Sequence, residues 1–240
     1  MFTVPTEPMI PDLSSLTIDS DALERQLGVE SSHPIGAREK FISRMVLARA
    51  ATLCEPRGVF RVFGVQHVDT GYALSDADLC LSSPQLLSLW GDSLEYIALL
   101  AVTVGPALEE AAATLGEHGD VLGQVMMDAA GSVAVEQAAD MMSAAIALFA
   151  SEHGLHASVR YSPGYGDLSL SFQKSFERLL SMRETLGITL LGGEVLQPYK
   201  SITAFVGLRK AEFSVPTDRA CDVCQLKNTC DRRVCRHGHE

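Results

Sequence analysis

The sequence predicts an α+β protein built on an antiparallel sheet with long helices. Three observations lead there. Strand-length apolar runs at 59–68, 96–104 and 201–209 fall among helical stretches without the regular strand–helix–strand alternation of a parallel sheet. One stretch, Asp120 to His153, keeps apolar residues at helical spacing for far longer than an average helix. Hydrophobic residues make up 47% of the 240 and charged residues 20%, a balance that fills a core and argues against disorder.

The elements follow in order. Residues 1–20, broken by Pro5, Pro8 and Pro11, read as an extended arm that wraps a body. Ile35 to Cys54 is predicted helical, with Phe41, Met45, Ala48 and Thr52 as its apolar stripe and Arg38, Lys40, Arg44 and Arg49 on its polar faces. Val59 to Val68 is a strand with Val59, Arg61, Phe63 and Val65 on one side, although Val62 on the other side spoils the alternation. Ser83-Pro84 starts a short helix through Trp90, and Tyr96 to Val104 is a buried strand. Pro106 opens a helix to about Leu115, as proline does at a first helical turn.

The long helix carries Leu122, Val125, Met126, Ala129, Val133, Ala138, Met141, Ala145 and Leu148. Gly131 lies inside it, where a missing side chain lets another element approach, and Gly154 ends it. His156 to Arg160 is a short strand, Phe172 to Leu186 a helix ended by Gly187, and Ser201 to Arg209 a strand with Ile202, Ala204, Val206 and Leu208 on one face. Composition changes near Val215-Pro216. This divides the chain into a main domain, 1–215, and a cysteine-rich tail, 216–240.

The formal net charge is −11, which repels a nucleic-acid backbone, so no nucleic-acid partner is expected. The most apolar run, Tyr96 to Leu108, is shorter than the roughly 20 residues of a membrane span and contains Gly105 and Pro106, so no membrane role is expected either. The start does not read as a secretory signal, and a reducing, cytoplasmic setting is expected. There, a crowd of cysteines points to metal before disulfides.

Two segments carry chemistry. The first is Arg160-Tyr161-Ser162-Pro163-Gly164-Tyr165. Arg160 offers a planar fork for a carboxylate. Pro163 fixes the backbone, Gly164 lets a ligand approach, and the amides and carbonyls of such a turn can read an adenine edge. Tyr165 adds an aromatic face. The set suits a zwitterionic amino acid joined to a purine, and a purely structural tight turn is the other reading.

This segment resembles the arginine–x–alanine–proline–glycine–tyrosine motif of the activation domain of cobalamin-dependent methionine synthase, with Ser162 in place of the alanine. The ordered series after it is also similar: a helix, then Leu186-Gly187-Ile188-Thr189-Leu190, Pro198 and Ser201-Ile202-Thr203-Ala204. The resemblance spans about residues 95–208 and is best from 157 onward.

It implies S-adenosylmethionine as ligand, its carboxylate on Arg160, its adenine against backbone at Ser162 and Gly164, and Tyr165 lining the site. A glutamate that the family places on the preceding long helix corresponds to Glu136, with Asp140 one turn later as a competitor; either carboxylate would hold the ligand ammonium or balance the sulfonium. A family tyrosine falls at Val206, so that contact is lost. The chain has no room for corrinoid-binding and methyltransferase modules. The resemblance therefore implies a partner, a corrinoid protein or cobalamin-dependent methyltransferase, together with an electron donor.

The second segment is Cys221-x2-Cys224-x5-Cys230-x4-Cys235. Four thiolates in fifteen residues suit tetrahedral zinc or an iron–sulfur cluster, and both stay open. From residue 219 onward five basic residues accompany three acidic ones, leaving residues 1–218 with a net −13. Local positive charge favours thiolate. Standalone relatives of the activation domain resemble this chain in carrying such a cluster.

Other chemistries find no support. Gly164-x-Gly166 lacks a third glycine and the strand–turn–helix setting of a dinucleotide fingerprint. No P-loop or hydrolase triad appears. His67, His118, His153 and His156 are scattered, as surface or capping residues would be, and the methionines at 126, 127, 141 and 142 read as core. The expected function is an S-adenosylmethionine-binding accessory to corrinoid reactivation, with no catalytic residues of its own. The alternative is a zinc- or iron–sulfur-stabilised S-adenosylmethionine sensor or scaffold without turnover.

Overall fold

The central strand explains the architecture. Tyr96–Thr103 is apolar from Ile97 to Val102 because both of its faces are covered, so an alternating pattern would bury polar groups on one side. In the computed structural model, which describes residues 4–29 and 36–212, this strand (β4) lies inside a six-stranded sheet. Its partners are β1 (Arg57–Val68), β2 (Gly71–Leu74), β3 (Cys80–Ser82), β5 (His156–Ala157) and β8 (Ser201–Arg209), in the order β3-β2-β1-β4-β8-β5. Every neighbouring pair is antiparallel, as predicted. A separate hairpin joins β6 (Thr189–Leu191) to β7 (Val195–Gln197).

Helices cover both faces. On one face lie α1 (Ser20–Gln26), α2 (Ala37–Leu53), α4 (Ala107–Glu117) and α5 (Val121–Glu152). They pack on Phe60, Val62, Ala98, Leu100, Ala204 and Val206. On the other face α3 (Pro84–Trp90), α6 (Gln173–Leu180) and α7 (Met182–Leu186) cover Val59, Phe63, Ile97, Leu99 and Phe205. Val62 and Val59 thus both find cores, which is why β1 alternates imperfectly. Val206, where a tyrosine was expected in the resembled family, is a buried core residue beneath α5.

Side chains cap several helix ends. Ser83 caps α3 by accepting from Leu86 N–H, and Asp120 caps α5 by accepting from Gly123 N–H. His118 and His153 stand at the helix C-caps, with Nδ1 against the carbonyls of Thr114 and Phe149. The arm docks where Met9 bridges Phe60 of β1 and Leu13 is buried. Helix α5 is long and apolar enough to cross a membrane by length and composition alone. Here its alanines, methionines and glycines line the core against the sheet, α2 and α4.

Three elements depart from expectation. The stripe predicted to anchor α2 is the exposed one: Phe41 and Met45 are 65% and 59% exposed, while Ser43, Val46 and Ala50 face the core. This helix carries two apolar stripes, and the one with small residues can lie close on the alanine-rich α5. The helix predicted over 172–186 is broken at Ser181, which adopts a left-handed conformation (φ 49°, ψ 47°) and separates α6 from α7. The strand predicted over 156–160 pairs regularly only at His156 and Ala157.

The predicted boundary at 216 and the four cysteines Cys221, Cys224, Cys230 and Cys235 lie outside the described residues. Among the described residues no group of three or more His, Cys, Asp or Glu side chains is placed to hold a metal ion. Cys54 and Cys80 are free thiols.

Candidate ligand-binding site

The early end of β5 has a local cause. Ser158 N–H donates to Gly207 carbonyl, and the Ser158 hydroxyl accepts from Gly207 N–H at 2.9 Å, so a side chain replaces a ladder partner. Pairing resumes at Tyr161, which exchanges two 2.8 Å hydrogen bonds with Phe205. Ala157 faces Leu208 and Tyr161 faces Phe205, so four steps on one strand match three on the other. That one-residue excess is a β-bulge. It reverses the alternation: Ala157 packs on the α5 side, but Tyr161 packs in the opposite core. Arg160, next to Tyr161, is thereby turned toward α5.

There it meets carboxylates. Arg160 Nη2 bonds Glu136 Oε2 at 2.6 Å, and Nη1 bonds Asp140 Oδ1. The arginine side chain is 24% exposed, whereas those of Glu136 and Asp140 are 61% and 70% exposed. Burial opposes the guanidinium charge, and Asp140 and Glu136 outweigh it, so its pKa is held above the ordinary value. Sequence reasoning offered Glu136 and Asp140 as competitors; the structure brings both to Arg160.

The same helix face holds a second cation. Asp128, Ser132, Glu136 and Asp140 follow one another at intervals of four and so form one stripe along α5. Lys200 Nζ reaches Asp128 at 2.7 Å and donates to Ser132 Oγ at 3.0 Å. Its aliphatic chain crosses Gly131, where a Cβ would lie 3.2 Å from Lys200 Cε. The predicted close approach at Gly131 is therefore this lysine. Asp128 and Lys200 were not anticipated, although the spacing of four along the helix was readable.

The loop after Arg160 is held from within and from below. Tyr165 N–H donates to Ser162 carbonyl at 3.2 Å, Gly164 N–H to Leu168 carbonyl at 2.8 Å, and Leu168 N–H to Tyr165 carbonyl at 3.0 Å. Gly164 and Gly166 have φ of +93° and +58°, conformations that glycine adopts without strain. A Cβ at Gly166 would stand 2.1 Å from Gln85 Oε1 and 2.7 Å from the Tyr161 hydroxyl. Asp167 ties the loop to the start of α3, accepting from Ser83 Oγ at 2.6 Å and from Gln85 N–H at 3.0 Å. Pro163 is buried beneath the loop, Ser162 is half-buried, Gly164 is exposed and Tyr165 is 66% exposed. Asp167 was missed as a fastener because a single aspartate in a turn gives no sign of a partner 82–84 residues away.

Arg160, Glu136, Ser162, Gly164 and Tyr165 thus lie along one short path, from the α5 stripe through the bulge to the loop. The path offers a guanidinium held by two exposed carboxylates and, beside it, a loop with accessible backbone. A shallow hollow of about 340 Å³ lies elsewhere, at the α6–α7 break among Glu177, Arg178, Ser181, Arg183 and Glu184, and includes none of these residues.

The fold defined by these elements is a helix-covered, curled antiparallel sheet of the methionine synthase reactivation-domain type. The chain is similar in structure to the MetH reactivation domain, solved with S-adenosylhomocysteine bound. The TM-score is 0.62 at 14% sequence identity, and the match covers 88% of this chain and 80% of that one. No protein-family profile matches the sequence, and no curated protein matches it.

Proposed function

We propose that this chain binds S-adenosylmethionine and supports reductive methylation of a corrinoid carried by a separate methyltransferase or corrinoid protein. The observation that carries the reading is the bulge at 158–160, which aims Arg160 at the α5 stripe directly beside the Ser162–Tyr165 loop. It gains support from the similar fold of a reactivation domain that holds S-adenosylhomocysteine. Arg160 receives the ligand carboxylate, Glu136 its ammonium, the backbone of Ser162 and Gly164 the adenine, and Tyr165 flanks it.

In the reaction, one electron from a donor protein and a methyl group from the sulfonium go to the partner's corrinoid, and the ligand leaves as its thioether. This chain contributes position rather than acid–base chemistry. The four tail cysteines, Cys221, Cys224, Cys230 and Cys235, would hold zinc or an iron–sulfur cluster, the second supplying redox chemistry.

Calorimetry with S-adenosylmethionine tests the ligand. Arg160→Ala is expected to lower affinity by about 1.5–3 kcal/mol, the range for losing a charge-assisted contact. Mixing the protein with an oxidised corrinoid protein, S-adenosylmethionine and a low-potential reductant tests the role, read by the absorbance of the methylated corrinoid. Equal rates with and without this chain, across several native corrinoid proteins, reject reactivation and leave the sensor reading.

A further inference from the structure

Arg160 already has its fork filled. Nη2 holds Glu136 and Nη1 holds Asp140, so a ligand carboxylate that takes the outer edge of the guanidinium must displace one of them. A third carboxylate on that Nη1–Nη2 edge would crowd the two already there. The unit of one guanidinium and two carboxylates also carries a net −1, and Lys200 does not relieve it because it is engaged one and two turns away with Ser132 and Asp128. A ligand bearing only a carboxylate would bring a second net negative charge to this unit.

We infer that Glu136 is a resident stand-in for the ligand carboxylate on Arg160, and that binding exchanges it: the ligand carboxylate takes the guanidinium nitrogen that Glu136 leaves, and Glu136 turns to the ligand ammonium. The inference rests on the ligand reading above and adds a specificity rule. Asp140 stays on the other nitrogen throughout and is a positioning residue that keeps Arg160 aimed. A zwitterionic amino-acid group conserves every ion pair in the exchange. A carboxylate without an ammonium displaces Glu136 and leaves it unpaired; an ammonium without a carboxylate cannot displace it. Both Glu136 and Asp140 are largely exposed, so Glu136 can move without disturbing the core. The site therefore selects α-amino acids joined to the nucleoside over their deaminated or decarboxylated counterparts.

The test uses the full chain and two probes that differ only in the amino group: S-adenosylhomocysteine and its desamino analogue, the adenosine thioether of a carboxypropyl chain. Calorimetry at neutral pH and fixed salt gives their dissociation constants. Wild type should prefer S-adenosylhomocysteine by about tenfold or more, the scale of one charge-assisted contact. Glu136→Gln should act with opposite signs, weakening S-adenosylhomocysteine several-fold and tightening the desamino analogue several-fold. Asp140→Asn should weaken both to a similar degree and leave their ratio unchanged, and Asp140→Glu should restore much of the loss. If Glu136→Gln weakens or leaves unchanged both ligands while Arg160→Ala weakens binding as expected above, the ligand reading stands and the exchange is wrong. If wild type binds neither probe and does not bind S-adenosylmethionine, the ligand reading falls and the exchange falls with it. Thermal unfolding of each variant separates misfolding from a change at the site.

Discussion

Removing the Asp167 carboxylate should loosen the 162–168 loop and the helix below it together. The carboxylate accepts from Ser83 Oγ at 2.6 Å and from Gln85 N–H at 3.0 Å. Ser83 is fully buried, and in Asp167→Ala its hydroxyl loses an acceptor while still capping α3 through Leu86 N–H. A hydrogen bond to a charged group contributes about 1.5–3 kcal/mol, but Asp167 is itself exposed, so water recovers part of each bond and the expected loss is about 1–2 kcal/mol in total. For a domain of this size that is a fall of about 2–8 °C in Tm. Urea unfolding at 25 °C should show a lower midpoint at unchanged slope. Ligand affinity should drop about three- to tenfold, because binding must then order the loop. A stability change under about 0.5 kcal/mol, the range of ordinary surface substitutions, would refute the fastening role.

Three further outcomes are expected. Phe176 is fully buried, with its ring centroid 4.6 Å from that of Phe205, so Phe176→Ala should cost about 3–5 kcal/mol in urea unfolding. Burial, then the neighbouring Glu55 charge, pushes the Cys54 thiol up to about 11, whereas Cys80 is exposed; peptide mapping after brief alkylation at pH 8 should find Cys80 labelled well before Cys54. Elemental analysis after anaerobic purification should find zinc, or iron with sulfide, in stoichiometric amount and less of it in Cys224→Ser; metal-free protein with four titratable tail thiols would reject the metal site.

Sequence reasoning located the elements whose signals are local. Ser83-Pro84 and Asp120 carry their own capping groups, and β1, β4 and β8 are long apolar runs that no helix of that length would need. The hairpin of β6 and β7 has three residues per strand and little periodicity to read. On α2 two apolar stripes compete, and the choice between them depends on how closely α5 can approach, a property of the partner helix. Ser181 breaks the 173–186 helix without glycine or proline, so nothing in the composition announces the break.

The residues of the candidate site divide along the same line. The loop was legible because its proline and glycines act on the backbone where they stand. The aim of Arg160 was not, because simple alternation from Ala157 sends residue 160 to the face away from α5. The bulge overturns that alternation, and its cause is a side chain, Ser158, that takes the place of a backbone partner at Gly207. Serine and threonine hydroxyls compete with the backbone in this way generally, but only the register of the opposing strand determines whether a bulge results. The α5 stripe at 128, 132, 136 and 140 was legible as spacing and silent as to partner. What joins stripe and loop into one site is therefore a single inserted residue in β5. Regular alternation through 157–161 with no residue removed would send Arg160 into the opposite core and separate the carboxylate fork from the loop. Ser158→Ala, which removes the hydroxyl that takes the ladder partner's place at Gly207, should therefore weaken ligand binding while the antiparallel sheet is retained by circular dichroism; unchanged affinity would reject the bulge as the device that aims Arg160.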